Sequence, residues 1–259
     1  MSDQMEIPDS FPAPGEVAEK RVVVTGAGRG LGTLLAHAFS RAGASVALVS
    51  RTERDLKTLA TELPGPALVL CGDVTDEEFN ETVADAVVAE WGGIDAWICN
   101  AGISPVVAGP RETDVATWRR VLDVNLTGAF LGARAAARVM GPGGRLIFTG
   151  SVLGERPRQG LCAYSASKAG LSALAKALAL DLASLGITVN VVAPGWFDSP
   201  LAEGWKRRPA LDAAVTGHTA LARWGAPTDL AGAYQFLVSD ASAFVTGTVL
   251  NVDGGYLLV

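Results

Sequence analysis

Seven short runs of apolar, mostly β-branched residues alternate with helical patterns along nearly the whole chain, and this alternation constrains the fold most. The runs fall at 22–25, 46–50, 67–71, 96–99, 146–149, 188–192 and 249–252. They are apolar at consecutive positions, as in strands covered on both faces of a parallel sheet. Between them lie helical patterns over 31–41, 54–63, 77–91, 118–140, 165–185 and 229–238. Such alternation predicts an α/β fold, a Rossmann-like doubly wound parallel sheet of about seven strands flanked by helices. Asp76 and Thr228, each ahead of a helical run, are expected as N-caps.

The 259 residues, 49% of them apolar, suffice for one large α/β core. No Pro-, Gly- or Ser-rich linker and no repeat divides the chain. Residues 20–259 are therefore expected to form a single Rossmann-type catalytic domain, with a substrate lid near 200–224. Residues 1–19 are polar, carry Pro8, Pro12 and Pro14, and lack the basic start and apolar middle of a signal peptide. They are expected to form a loose, flexible arm. No apolar run reaches the roughly 18 residues a membrane span needs. The net charge of −6, without a basic stripe, argues against a nucleic-acid partner. Cys71, Cys99 and Cys162 are odd in number and lack metal-type spacing. Reduced thiols and a cytoplasmic location are expected. His37 and His218 are isolated, so no metal site is expected.

The first strand runs into Thr25-Gly26-Ala27-Gly28-Arg29-Gly30-Leu31-Gly32, and a helix follows. A strand–turn–helix of this kind sets free backbone N–H groups and the positive helix end beside a phosphate. The spacing is T-G-x-x-x-G-x-G, through Thr25, Gly26, Gly30 and Gly32, rather than G-x-G-x-x-G. The second strand ends in Ser50-Arg51. An acidic residue there binds a ribose 2′-OH, whereas arginine accommodates a 2′-phosphate. Ser50 removes the acid, Arg51 supplies the cation, and Arg29 can add a second. NADP(H) is therefore the expected cofactor, with NAD(H) as the alternative. Solvated surface positions are the other reading of both arginines.

Tyr164 and Lys168 are four residues apart at the start of an alanine-rich helical stretch. Positions i and i+4 share a helix face, so phenol and ammonium can meet. A free tyrosine has a pKa of about 10 and needs a nearby cation to work as an acid–base group at neutral pH. Alone, Y-x-x-x-K is a common surface pair. Ser151 lies just past the fifth apolar run, where an open α/β sheet places ligand chemistry. Asn100-Ala101-Gly102 follows another strand end, and Asn125 lies on an apolar helix where it is costly unless hydrogen-bonded.

Taken together, these motifs resemble the single-domain, Tyr-x-x-x-Lys branch of the short-chain dehydrogenase/reductase family. The resemblance covers Arg21 to the C-terminus through residues 25–32, Asp73-Val74-Thr75, Asn100-Ala101-Gly102, Asn125, Ser151, Tyr164, Lys168, Pro194-Gly195 and Asp253-Gly254-Gly255. Two departures are Cys99, where the family more often has asparagine, and Ser199, where threonine is common. The resemblance implies that Tyr164 donates a proton to a carbonyl oxygen in reduction and accepts it in oxidation. Lys168 would lower the phenol's pKa and bind the nicotinamide ribose. Ser151 would hold the substrate oxygen, and Asn125 would position a water linking Lys168 to solvent. Asp73 and Val74 would contact adenine. Asn100, Ala101 and Gly102 would line the adenosine ribose and the floor of the site. Pro194, Gly195, Phe197 and Ser199 would cover the nicotinamide. A homotetramer, or a homodimer, is implied through helices rich in small residues (Ala129, Ala133, Ala136, Ala169, Gly170, Ala173, Ala177) and the C-terminal strand.

The expected function is reduction of a small ketone, or oxidation of a secondary alcohol. A 3-oxoacyl-carrier-protein reductase and a sugar-acid dehydrogenase are the alternatives. Pro142 and Leu185 stand where carrier-docking reductases often have basic residues, which weakens the former. A non-catalytic cofactor-sensing relative is disfavoured by the complete set Asn125, Ser151, Tyr164 and Lys168. Epimerases and dehydratases with the same tyrosine and lysine usually carry an extra domain that this chain has no room for. Substrate contacts are expected from 103–111, 152–162 and 200–224. Arg156, Arg158, Lys206, Arg207 and Arg208 form either a cationic mouth for an acidic substrate or a solvated lid.

Overall fold

The computed structural model describes residues 16–104, 107–197 and 207–259. In chain order the elements are β1 (Arg21–Thr25), α1 (Leu31–Arg41), β2 (Ser45–Ser50), α2 (Glu53–Glu62), β3 (Ala67–Cys71) and α3 (Glu77–Trp91). Next come β4 (Ala96–Cys99), α4 (Val115–Leu122), a π-helical turn (Asp123–Thr127), α5 (Gly128–Val139), β5 (Arg145–Thr149) and α6 (Cys162–Leu182). The chain closes with β6 (Thr188–Pro194), α7 (Pro209–Gly217), α8 (Pro227–Val238) and β7 (Val249–Val252). Each of the seven expected runs is a strand, and all pairs are parallel in the order β3-β2-β1-β4-β5-β6-β7.

The consecutive apolar residues are explained by two cores, one on each face. Val23, Leu146 and Phe148 point into a core with Val83 and Val87 of α3, Ala133 of α5 and Leu171 and Ala175 of α6. Their strand neighbours Val22, Val24 and Ile147 point into the other, with Leu35 and Phe39 of α1, Leu56 of α2 and Leu230 and Tyr234 of α8. Period-two side chains on a doubly covered sheet send alternate residues into one core or the other, so both sets are mostly apolar.

Asp76 caps α3, accepting from the N–H groups of Glu78 and Phe79. Thr228 does not cap α8: that helix starts from Ala226 with Pro227 at its first position, and Asp229 accepts from the Ala226 N–H at 2.7 Å. Proline prefers the first helical position, so the start moves two residues earlier. The expected helix over 118–140 is interrupted by the π turn. The expected arm falls mostly outside the described residues, but Val17 is buried in the second core, so the packed chain begins before residue 20. Residues 200–206 of the expected lid, with Lys206, also lie outside them, as does Ser199 just before it; the rest of the lid stretch includes α7.

Candidate active site

The order β3-β2-β1-β4 reverses the direction of winding between β1 and β4. Such a reversal opens a crevice beyond the carboxyl ends of the strands. A cleft of about 540 Å³ occupies this position, lined by segments that follow β1, β2, β3, β4, β5 and β6.

At its floor β1 and β4 are stapled together. The Asn100 and Ala101 N–H groups donate to Thr25 Oγ1 at 2.9 and 3.1 Å, and Asn100 Nδ2 donates to the Thr25 carbonyl at 2.9 Å. Thr25 is therefore a buried brace rather than part of the cleft wall. Gly26 (φ +70°) passes so close to Ala101 that a Cβ would lie 2.8 Å from its Cα. A Cβ on Gly32 would lie 2.1 Å from the Gly26 carbonyl oxygen, so only glycine lets α1 begin against the turn. Gly26, Arg29, Gly30, Leu31 and Gly32 all line the cleft. The amino end of α1 has no capping side chain and no acidic residue in its first turn. Its free N–H groups suit an anion, which is the fit a dinucleotide's pyrophosphate requires.

Ser50 and Arg51 line the next stretch of cleft wall. Gly28, left out of the T-G-x-x-x-G-x-G pattern, lies against Ser50: a Cβ there would be 2.9 Å from Ser50 Oγ. Asp73, Val74 and Gly102 also line the cleft. Asp73 Oδ1 accepts from the Thr75 N–H and hydroxyl, while Oδ2 lies 3.2 Å from Arg120 Nη2 and 3.9 Å from Arg51 Nη1. Burial alone would raise this carboxyl's pKa; the bonds from Thr75 and Arg120 outweigh it and hold the group below the usual range. Arg120, a lining residue on α4, carried no sequence signal beyond its charge.

The reactive groups gather at the ends of β5 and β6. Ser151 follows β5, and its Oγ accepts from the Leu153 N–H at 3.1 Å. Tyr164 and Lys168 share one face of α6, with Lys168 Nζ 5.6 Å from the centre of the phenol ring. Lys168 is buried, and its Nζ donates to the Thr149 carbonyl at 2.7 Å. Burial pushes its pKa down to about 8. Burial also raises the Tyr164 phenol above its ordinary value, against an opposing hydrogen bond with Ser151. The lysine's proton is directed at the Thr149 backbone carbonyl, and desolvation is the largest influence on both groups.

Asn125 is fully buried and is not a wall residue. It sits in the π turn, where Gly128 N–H reaches back to the Asp123 carbonyl. Its Oδ1 accepts from the Ile103 N–H at 2.8 Å, and its Nδ2 donates to the Ile103 carbonyl and to Ser167 Oγ, each at 3.0 Å. The cost of burying this amide is met by tying α6 to the segment after β4. Pro194, Gly195 and Phe197 line the cleft after β6. Thr149 was missed from sequence. Besides its carbonyl's bond to Lys168, its hydroxyl bonds Tyr234 OH at 2.8 Å and Asn100 Oδ1 at 3.3 Å.

Arg156 does not reach the cleft. It donates to the Tyr256 carbonyl at 2.9 Å and to the Val259 carbonyl, and lies over the Tyr256 ring. Among the described residues no group of His, Cys, Asp and Glu could hold a metal, and no helix is long and apolar enough to cross a membrane.

A glycine turn open to phosphate, joined through one cleft to a hydroxyl, a phenol and a buried amine, defines a dinucleotide-dependent oxidoreductase site. A family model described as enoyl-(acyl carrier protein) reductase matches residues 26–257. The chain is 38% identical over 247 residues to the cis-4-hydroxycyclohexanecarboxylate dehydrogenase of Sinomonas cyclohexanicum, covering 93% of this chain and 98% of that protein. It is 34% identical to the glucose 1-dehydrogenase of Gluconobacter oxydans (strain 621H), covering 96% of each. A crystal structure of a short chain dehydrogenase from Burkholderia cenocepacia J2315 in complex with NADP superposes with a TM-score of 0.87 at 31% identity, covering 93% of this chain and 99% of that one. The chain belongs to the short-chain dehydrogenase/reductase family, and is a nicotinamide-dependent oxidoreductase acting on CH–OH groups.

Proposed function

We propose that the protein is an NADP(H)-preferring carbonyl reductase, reversible as a secondary-alcohol dehydrogenase, with Tyr164 as its general acid and base. The observation that carries this reading is the meeting of Ser151, Tyr164 and Lys168 in the same cleft as the glycine turn. When bound, the cofactor supplies or accepts the hydride. Gly26, Arg29, Gly30, Leu31 and Gly32 would hold its pyrophosphate, and Asp73, Val74, Asn100, Ala101 and Gly102 its adenosine end. Pro194, Gly195, Phe197 and Ser199 would cover the nicotinamide. Ser50 and Arg51 favour a 2′-phosphate, because the acid that would bind a 2′-hydroxyl is missing at the end of β2.

In reduction, the Ser151 hydroxyl orients the carbonyl and the Tyr164 phenol gives it a proton. A phenol is protonated at neutral pH and can therefore serve as the acid. Lys168 holds a proton close to the phenol, and Asn125 positions the residues around it. Oxidation runs the same transfer backwards and needs the phenolate, so it gains from higher pH.

Self-association as a homotetramer is part of the same reading. Ala129, Ala133 and Ala136 are spent on the internal core, whereas Ala169, Ala173 and Ala177 are exposed along α6 and continue into the exposed Leu180. A stable monomer in light scattering would contradict the assembly.

The test is a panel of ketones and secondary alcohols followed by NADPH absorbance, with Tyr164→Phe and Arg51→Ala. The expected result is turnover that Tyr164→Phe lowers by about a thousandfold and a preference for NADPH over NADH that Arg51→Ala erases. Full activity in Tyr164→Phe would remove the mechanism. Equal use of NADH by the unaltered enzyme would remove the cofactor preference.

A further inference from the structure

The substrate end of the cleft differs in chemistry from the cofactor end. Around Ser151 and Tyr164 the wall is made by Ile103, Val107, Val152, Leu153, Leu161 and Trp196. Val152, Leu153 and Leu161 are buried and form a small core of their own with Tyr256, against which Tyr164 and Trp196 pack. The aromatic side is fixed by edge-on contacts of Trp196 with Trp224 and Tyr256, at 5.9 and 6.3 Å between ring centres. The loop between β5 and α6 carries two arginines, and neither lines the cleft. Arg156 is committed to the C-terminal carbonyls, and Arg158 lies 5.3 Å from the centre of the Trp196 ring. Among the described residues, the polar side chains beside this wall are Ser104, the two reacting hydroxyls of Ser151 and Tyr164, and Lys168, whose Nζ is committed to the Thr149 carbonyl.

We infer that the enzyme's own substrate is an apolar secondary alcohol, alicyclic or branched, and its ketone, rather than a polyol or sugar acid. The inference rests on the reading of Tyr164 as acid and base. Against the described wall, each further hydroxyl of a polyol would leave water to face methyl groups and an indole. A hydrocarbon ring gains from the same wall by burying its surface. In the oxidation, the carbinol C–H bond breaks and its hydride passes to the oxidised nicotinamide. The O–H proton passes to the Tyr164 phenolate, and a ketone and the reduced cofactor are left.

The experiment compares kcat/KM of the full-length enzyme for cyclohexanol and 4-methylcyclohexanol with that for sorbitol and gluconate, at saturating NADP⁺. A preference of at least 100-fold for the cyclic alcohols is expected, and Leu153→Asn should narrow it at least tenfold, mainly through KM. A polyol or sugar acid used as well as the cyclic alcohols, by an activity that Tyr164→Phe abolishes, overturns this inference and leaves the proposed chemistry standing. If neither class is oxidised, the chemistry fails, and binding decides the chamber. Quenching of Trp196 fluorescence by cyclohexanone but not by sorbitol, judged against Trp196→Phe, supports it; absence of that quenching overturns it.

Discussion

Strand β5 has a buried cation at each end, and the two differ in almost every respect but burial. Arg145 starts the strand; Lys168 meets its last carbonyl, that of Thr149. Each residue is 4% exposed. Arg145 Nη1 donates to the Gly143 and Gly144 carbonyls, and Asp240 stands 3.7 Å from Nη2. Burial lowers the arginine's proton affinity and Asp240 opposes it, but a guanidinium stays charged at any ordinary pH. Among the described residues no carboxylate pairs with Lys168, and burial brings it to about 8. The amino end of the sheet thus holds a permanent charge for architecture. The carboxyl end holds one that can give up its proton near neutrality, which is what acid–base work requires.

The comparison breaks most visibly at Lys168. Lys168→Met should lower kcat/KM for ketone reduction by about a hundredfold or more, while chemical denaturation shows a protein that still folds cooperatively. Activity within a few-fold of the parent would make the lysine as structural as the arginine. Arg145→Met should do the opposite. Two backbone carbonyls lose a charged donor, so unfolding should cost about 2 kcal/mol less, with kcat/KM per folded molecule unchanged. A loss of activity at intact stability would erase the distinction between the two ends.

A pH series sharpens the contrast further. The folded pKa of Lys168, about 8, lies below the roughly 10.4 of an unfolded lysine, so the unfolded chain binds more protons between those values. Stability contributed by this site should therefore rise with pH across that window, and Lys168→Met should flatten the rise. Arg145→Met should leave it in place, since the guanidinium does not titrate there. An unchanged slope in Lys168→Met would place the lysine's pKa near its ordinary value.

The smallest expected effect lies at the adenosine end of the cleft. Arg120 and Arg51 share Asp73, so removing Arg120 leaves the carboxylate to draw on Arg51 alone. Arg120→Gln should weaken NADPH binding by about fivefold, around 1 kcal/mol, and NADH binding less, measured by fluorescence titration. Equal weakening of both would assign Arg120 to the adenine or to folding rather than to the phosphate.

Much of this was legible before any coordinates. The apolar runs identified all seven strands, with β3, β4 and β7 to the residue, because a strand buried on both faces writes itself as consecutive hydrophobic residues. Helices α1 and α3 also have the expected bounds, since each has a clear start and a glycine just beyond its end. Less was legible where long-range contacts decide. The π turn at Asn125 depends on partners in the segment after β4 and on α6, so no local period reveals it. Arg156, a candidate for the substrate mouth, is captured by residues about a hundred positions away. Arg120 acquires its role from Asp73, which only the packing of α4 brings near.

Residue order and spacing alone determined the parallel α/β fold, the glycine turn and the pairing of Tyr164 with Lys168 on one helix face. These are local facts, fixed by backbone periodicity and by which residues tolerate a turn. Tertiary structure alone decided the electrostatics: the lysine drawn down toward neutrality, the phenol held above its ordinary value, and an apolar chamber beside it. Burial sets all three, and burial is a property of the assembled neighbourhood rather than of any short stretch of chain.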